Sequence, residues 1–171
     1  SYAAYAAAFG LTARILVPAR APDAKKTQIA AMGAHVEAVE GTRQTVAEAA
    51  LAASEETFYA SHNWQPYFIE GTKTLAFEIW EQSGFSVPDN VVVPLGYGSN
   101  VIGLYLGFQE LIASGEIDRM PRIFGAQAAN CAALFAAWEA GGVDTSFDAG
   151  ETIADGIASE KPVRVSDVMA A

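Results

Sequence analysis

The hexapeptide Leu95-Gly96-Tyr97-Gly98-Ser99-Asn100 follows a run of three valines, Val91 to Val93, and Pro94. A strand that ends in Gly-x-Gly and opens directly into a helix leaves several backbone N–H groups clear of side chains and aimed at one point, which suits an anion. Two larger ligand classes fit poorly. A dinucleotide site wants a third glycine where Val101 stands, and an acidic ribose contact at the end of the next strand, near Gln127. A triphosphate loop wants Gly-Lys-Ser/Thr, and this stretch has no lysine. What remains is a turn sized for one monoester phosphate, with the Ser99 hydroxyl as an added donor and Asn100 as a helix cap. The same glycines would serve a tight turn that only relieves backbone strain, so the residues alone leave both readings open.

Other candidates lie elsewhere. His62 and Asn63 belong to the polar, aromatic loop Ser61-His62-Asn63-Trp64-Gln65-Pro66 at the C-terminal edge of an expected strand, where open parallel sheets keep their sites. Lys25, near a strand-loop edge, is placed either to reach substrate oxygens or to lie on a solvated face. Trp64, Tyr67 and Phe68 read as core or cleft wall rather than as cofactor stackers. Tyr97, between two glycines of the turn, does not read as core. Cys131 follows Asn130 at a helix start and reads as packing, while Glu48, Glu55 and Glu56 read as a solvated helix face. One cysteine and two histidines, His35 and His62, provide neither a disulfide nor a zinc cluster, so no metal is expected.

The 171 residues are 51% hydrophobic and 18% charged, enough for one domain with a sizeable core or two small ones. Ten basic against twenty acidic side chains give a formal charge of −10, which argues against nucleic acid or an anionic membrane as partner. No apolar run approaches the roughly 20 residues a spanning helix needs. The single cysteine suits the cytoplasm. The start, Ser1-Tyr2-Ala3-Ala4-Tyr5, has neither a charged leader nor an initiating Met and reads as a chain that begins mid-helix.

Periodicity supplies the elements that must position these residues. Helices are expected over Ser1–Phe9 (stopped by Gly10), Pro22–Met32 (stopped by Gly33), Thr42–Glu56 with Thr42 as N-cap, Ile69–Ser83, Asn100 to about Ser114, Cys131–Ala140 and Ser166–Ala171. Strands are expected over Ala13–Val17, His35–Val39, Phe58–Ser61, Asn90–Pro94 and Pro121–Gln127, with Asn90–Pro94 a central strand because its valines leave no polar face. This alternation is the pattern of an α/β fold with parallel open sheets and covering helices. Ala-rich helices give way to aromatic residues around 57–67, which places a boundary between residues 1–61 and 62–171.

Taken in order, several segments resemble the threonine synthase branch of the fold-type II pyridoxal-phosphate enzymes. They are Ala3-Ala4-Tyr5-Ala6-Ala7, Val17-Pro18 with Lys25 and Gln28, Gly33-Ala34-His35-Val36, and Gln65-Pro66 leading to Glu70-Gly71-Thr72-Lys73-Thr74. Val93 to Asn100, Gly107-Phe108-Gln109-Glu110-Leu111 and Gln127-Ala128 complete the set. The resemblance implies a partial two-subdomain, three-layer fold. Residues 1–61 would be the remainder of the small open-sheet subdomain, and 62–171 part of the large cofactor domain. It implies pyridoxal 5′-phosphate as cofactor, its phosphate cupped by Gly96, Tyr97, Gly98, Ser99 and Asn100, a small amino-acid substrate, and a homodimer when full length. It further implies a lyase that converts O-phosphohomoserine to threonine and phosphate.

Three departures stand out against that branch. The lysine that bonds the cofactor belongs to a Ser-Phe-Lys-Asp-Arg-like motif; none of Lys25, Lys26, Lys73 and Lys161 lies in that context, so no catalytic residue is assigned within this chain. Where the branch carries an arginine and an asparagine for the substrate phosphate, this sequence has Phe68 and Tyr97, and a bidentate arginine contact has no aromatic substitute. Thr152-Ile153-Ala154-Asp155-Gly156-Ile157-Ala158 is closer to the Ala-Asp-Gly-Ile-Ala of serine/threonine dehydratases than to Arg-Ile-Gly-Asn-Pro. β-Elimination or β-replacement on an unphosphorylated amino acid, an amino-acid dehydratase on such a substrate, or a catalytically incomplete fragment, stands as the alternative.

Overall fold

In the alanine-rich start of the chain, Tyr2–Ala8 forms helix α1, and Gly10 ends it at φ 66°, a left-handed angle that glycine adopts without a Cβ penalty. The computed structural model describes residues 2–142 and 147–171. They group into two units, Ser1–Tyr59 and Ala60–Ala171. In the first, β1 (Arg14–Pro18) pairs in parallel with β2 (His35–Val39) across helix α2 (Asp23–Ala31). Helix α3 (Arg43–Ala52) follows, and Thr42 caps it as expected, the Thr45 N–H donating to the Thr42 hydroxyl at 3.3 Å. Its continuation is a 3₁₀ turn over Ala53–Glu55. The pairing register sets Leu16 opposite Glu37, so Arg14 lies diagonal to Glu37, and the two form an ion pair at 2.6 Å. A small core of Ala3, Ala6, Ala13 and Ala34 packs with Ile15 and Ile29.

The second unit holds β3 (Asn90–Pro94) parallel to β4 (Arg122–Ala126), with Val91 opposite Ile123 and Val93 opposite Gly125. Helix α6 (Ser99–Ala113) links them. Ahead of the pair come α4 (Pro66–Thr72) and α5 (Thr74–Gln82); after it come α7 (Ala133–Glu139) and α8 (Val165–Ala170). Leu104 and Phe108 of α6 are fully buried with Ala76 of α5 and Leu134 of α7. This alternation of parallel strands and helices is the α/β class that the hydrophobic periodicity indicates. Among the described residues no helix is long and apolar enough to cross a membrane.

Three local expectations change. The segment 58–61 forms no strand; the described strands make two pairs, and an extended backbone without a ladder neighbour has nothing to hold it. The helix expected from Ile69 begins earlier, because Pro66 takes the first helical position where its missing N–H costs nothing, and it divides at Lys73. There the Thr72 hydroxyl donates to the Phe68 carbonyl and that of Thr74 to the Gly71 carbonyl. Strand β3 buries only Val91 and Val93, while Val92 is 69% exposed beside its partner Phe124. Three valines in a row carry no information about which face lacks a cover.

The approach of α6 to the α4–α5 segment is backbone-close. A Cβ on Gly107 would stand 2.6 Å from the Lys73 carbonyl oxygen and 2.7 Å from the Ala76 Cβ, and one on Gly103 would stand 2.7 Å from Thr72 Cγ2. Lys73 fastens the same seam, its ammonium reaching Glu110 at 2.5 Å and also Glu70. The Glu110 hydrogen bond, then that of Glu70, raises the Lys73 pKa above 10.5. A raised lysine pKa stabilises the fold fully below the unfolded value and loses that contribution as pH rises through the folded one.

Two measurements follow from this seam. Gly107→Ala should lose about 1–3 kcal/mol in urea unfolding through overpacking. Gly71→Ala, in a helix with nothing within 4 Å of the new methyl, should instead be neutral or gain up to ~1 kcal/mol. The stability gap between the unmodified protein and Lys73→Met should hold from neutral pH to the ordinary lysine value of 10.5 and close above it. A gap that closes on acidification through neutral pH would contradict the triad.

Candidate functional site

The Leu95 N–H still donates to the Ala126 carbonyl at 2.8 Å, so the β3 ladder ends immediately before Gly96. Gly98 then turns the chain with φ 93° and ψ −2° and serves as N-cap of α6. A β-branched or bulky residue would be strained there. The first helical bond is from the Ile102 N–H to the Gly98 carbonyl. The backbone N–H groups of residues 96–101 therefore donate to no acceptor among the described residues. The first turn of α6 carries no acidic side chain to offset them. Unpaired amides at the head of a 15-residue helix concentrate partial positive charge, the condition for seating an anion.

Asn100 does not cap α6. It occupies the second helical position and makes no capping hydrogen bond, because a cap must precede the helix and Gly98 holds that place. Ser99 opens the helix, and Ser99, Asn100 and Tyr97 are all half-buried at the turn. The two glycines are also what allow the turn to be covered. A Cβ on Gly98 would stand 2.1 Å from Val168 Cγ2 of α8, and one on Gly96 would stand 3.3 Å from the Ile157 Cα of the 3₁₀ turn Asp155–Ile157.

Helix α8 connects this turn to the second candidate loop. Arg164, at its N-cap, donates from Nε to the Asn63 carbonyl at 3.0 Å, and one helical turn later Val168 rests on Gly98. Asn63 donates from its N–H to the Ser61 hydroxyl at 3.4 Å, while its buried Oδ1 has no partner among the described residues. His62 is exposed and its ring lies 5.0 Å from that of Phe68 on α4. Trp64, Tyr67 and Phe68 are 49%, 81% and 42% exposed, so these aromatics are surface groups and not core. The loop's aromatic content invites a core reading, but α4 buries only Ile69. A cavity of about 360 Å³ lined by Ile69, Ile102, Tyr105, Leu106 and Arg164 lies between α4, α6 and α8 and includes no residue of the glycine turn.

The lysines divide clearly. Lys25 stands exposed on α2 in the first unit; its neighbour Lys26, which spacing does not single out, reaches the Ala19 carbonyl at 3.0 Å and Asp23 at 3.1 Å. Lys73 is held cationic by two glutamates, the opposite of what a nucleophilic amine requires. Cys131 is buried and donates from Sγ to the Gly150 carbonyl at 3.2 Å, in keeping with packing. Sequence reasoning missed Ile157, Ser159, Arg164 and Val168. They lie within 15 residues of one another but some 60 residues after the turn they support, and no periodic pattern marks them.

A family model described as "Pyridoxal-phosphate dependent enzyme" matches residues 1–170. The threonine synthase of Methanosarcina acetivorans is 32% identical over 172 aligned positions, covering 99% of this chain and 42% of that protein. That of Methanocaldococcus jannaschii is 33% identical, covering 95% and 41%, and that of Mycobacterium tuberculosis 36%, covering 78% and 38%. The chain thus spans about two fifths of the length of these curated relatives. Among solved structures, the processed form of threonine deaminase isoform 2 from Solanum lycopersicum superposes with a TM-score of 0.74 at 23% identity, covering 94% of this chain and 46% of that one. Maize serine racemase also superposes with a TM-score of 0.74 at 23% identity, covering 97% and 49%.

Gly98→Ala should destabilise the protein by about 1–3 kcal/mol, combining a steric clash with left-handed strain. Adding Val168→Ala to that variant should recover the steric part only, which a double-mutant cycle in urea would read as a favourable coupling. Simple additivity would mean that Val168 does not press on the turn.

Proposed function

Because the chain belongs to the pyridoxal-phosphate dependent enzyme family, we propose that the α6 turn holds the cofactor's 5′-phosphate in a threonine synthase-like lyase. The observation that carries the reading is the row of backbone N–H groups at residues 96–101 without an acceptor among the described residues. The residues fit the group in shape as well as in charge: a Cβ at either Gly96 or Gly98 would crowd the turn's cover. Gly96, Tyr97, Gly98, Ser99 and Asn100 would hold the phosphate, chiefly through main-chain donors, with the Ser99 hydroxyl as a supplement. When bound, pyridoxal phosphate supplies an electron sink for charge developing at the substrate's α-carbon.

What this chain does is bind and orient. Helix α6 presents its positive end, α8 and the 3₁₀ turn close the outer side, and Arg164 holds the His62–Asn63 loop by the Asn63 carbonyl. No cofactor-bonding lysine is assigned among these residues: Lys73 is committed to Glu70 and Glu110, and Lys25, Lys26 and Lys161 stand outside the Ser-Phe-Lys-Asp-Arg-like context. The proposed reaction is conversion of O-phosphohomoserine to threonine and phosphate, supported by identity to several threonine synthases. We place it in the cytoplasm, as a homodimer, acting on a small amino acid. His62, Asn63 and Phe68 are the proposed substrate contacts of the second unit; Lys25, on α2, is a separate proposal made for the first unit by itself.

A second reading has its own observation. Phe68 and Tyr97 are aromatic at the two positions where the threonine synthase resemblance implies donors for a substrate phosphate, and the Arg164 side chain is turned to Asn63 and Asp167. An unphosphorylated amino acid undergoing β-elimination or β-replacement suits such a wall better. Incubating the full-length protein with pyridoxal phosphate and O-phosphohomoserine should release inorganic phosphate and threonine. No release, together with 2-oxo acid and ammonia from serine or threonine, would replace the first reading with the second.

A further inference from the structure

We propose that Arg164 is a positioning residue for the substrate loop 61–65, acting through one donor, its Nε, on the Asn63 main chain and not on the substrate. This rests on the reading that His62 and Asn63 meet the substrate. The Arg164 Nε donates to the Asn63 carbonyl at 3.0 Å across 101 positions of sequence, and its Nη1 reaches Asp167 at 3.4 Å. The Arg164 side chain is 21% exposed, so the bond is largely shielded from water, where it counts for more. The loop itself is a closed turn: the N–H groups of Trp64 and Gln65 both donate to the Ser61 carbonyl at 3.0 Å, and the Asn63 N–H donates to the Ser61 hydroxyl at 3.4 Å. A turn bonded to itself keeps its shape but not its place. The Arg164 bond fixes its place against α8, and as a bond to the main chain it engages neither the His62 nor the Asn63 side chain.

Place matters because a substrate contact is useful only at a fixed distance from the reacting group. Helix α8 supplies that distance. The Val168 N–H donates to the Arg164 carbonyl at 3.0 Å, closing the first helical turn, and Val168 rests on Gly98, where an added Cβ would stand 2.1 Å from its Cγ2. One turn of helix, about 5.4 Å, separates the residue that touches the glycine turn from the residue that holds the loop. Val165, between them, is buried in the core of the unit, so the spacer is itself anchored. The other role open to an arginine, gripping an anionic substrate group, requires its fork of N–H donors to face that group. Here Nε and Nη1 are directed at protein acceptors.

Two substitutions separate the donor from the charge. At the chain position of the arginine Nε, glutamine carries an N–H donor and methionine a methyl group, and neither side chain is charged. The full-length protein, loaded with pyridoxal phosphate, is compared with Arg164→Gln and Arg164→Met in turnover of O-phosphohomoserine, or of L-serine if that is the amino acid consumed. Amide hydrogen exchange of the segment 61–65 is followed in the same three proteins. Arg164→Met should raise KM about tenfold with kcat within about twofold, the mark of lost ground-state binding, and its loop should exchange about tenfold faster. Arg164→Gln should match the unmodified protein in all three quantities. A glutamine variant as impaired as the methionine one would show that the charge is what counts and would overturn the proposal, as would a fall in kcat at unchanged KM. Unchanged exchange in Arg164→Met overturns the Arg164 assignment and leaves the substrate reading standing. Faster exchange with KM unchanged means that the loop is held but meets no substrate, so that reading fails and this one with it. If Arg164→Met does not fold, Arg164→Gln decides: a KM within about twofold of the unmodified value supports the donor role, and a larger rise overturns it.

Discussion

Close backbone approach along α6 is the constraint on which the second unit depends. Gly103 and Gly107, one helical turn apart, let α6 lie against the α4–α5 segment with no side chain of its own at those two positions. A methyl at either place would push the helix outward, and with it the turn at its head. Leu104 and Phe108 occupy the remaining positions and are fully buried, so apolar burial supplies the attraction and glycine sets the distance. Lys73 adds a fastening between its two glutamates at the point where the α4–α5 segment is interrupted.

That same helix pays for its position with unpaired amides at its N-terminus. A helix head normally finds a side-chain cap, and α3 does so through Thr42. Helix α6 does not: Gly98 precedes it, and neither Ser99 nor Asn100 folds back to serve. Helices α2, α4, α5, α7 and α8 likewise have no side-chain cap, so the missing cap alone does not mark α6; the proposed phosphate seat rests on its open amides together with the glycines that precede it. The glycines of the turn have a second duty that explains their spacing. Both are covered, Gly98 by Val168 and Gly96 by Ile157, so the turn is enclosed by segments about 60 residues downstream.

Helix α8 turns these separate features into one arrangement. Arg164 reaches across 101 positions of sequence to the Asn63 carbonyl, while Val168 touches the glycine turn. A main-chain contact of this kind is insensitive to what residue 63 is, which leaves the Asn63 side chain free of a structural task at that end of the loop. The proposed substrate wall and the phosphate seat thus share a support, and displacement of α8 would disturb both.

The residue order determined more here than composition did. Short, mostly apolar segments marked all four observed strands, Gly10 and Gly33 marked helix ends, and Gly96-Tyr97-Gly98 marked the turn, because each of these depends on forces acting within a few residues. Where the outcome depended on distant partners, the sequence was silent or misleading. Phe58–Ser61 has strand-like residues and no neighbour to pair with, and the aromatic loop residues Trp64, Tyr67 and Phe68 stay exposed for want of a cover. Asn100 has the chemistry of a cap and stands two positions too late. Ser159 lies among polar neighbours, Glu160 and Lys161, with no periodic sign that it is buried. Local propensity and period are written residue by residue; burial, closure over the glycines and the absence of a hydrogen-bond partner exist only once segments far apart in sequence are brought within a few ångströms.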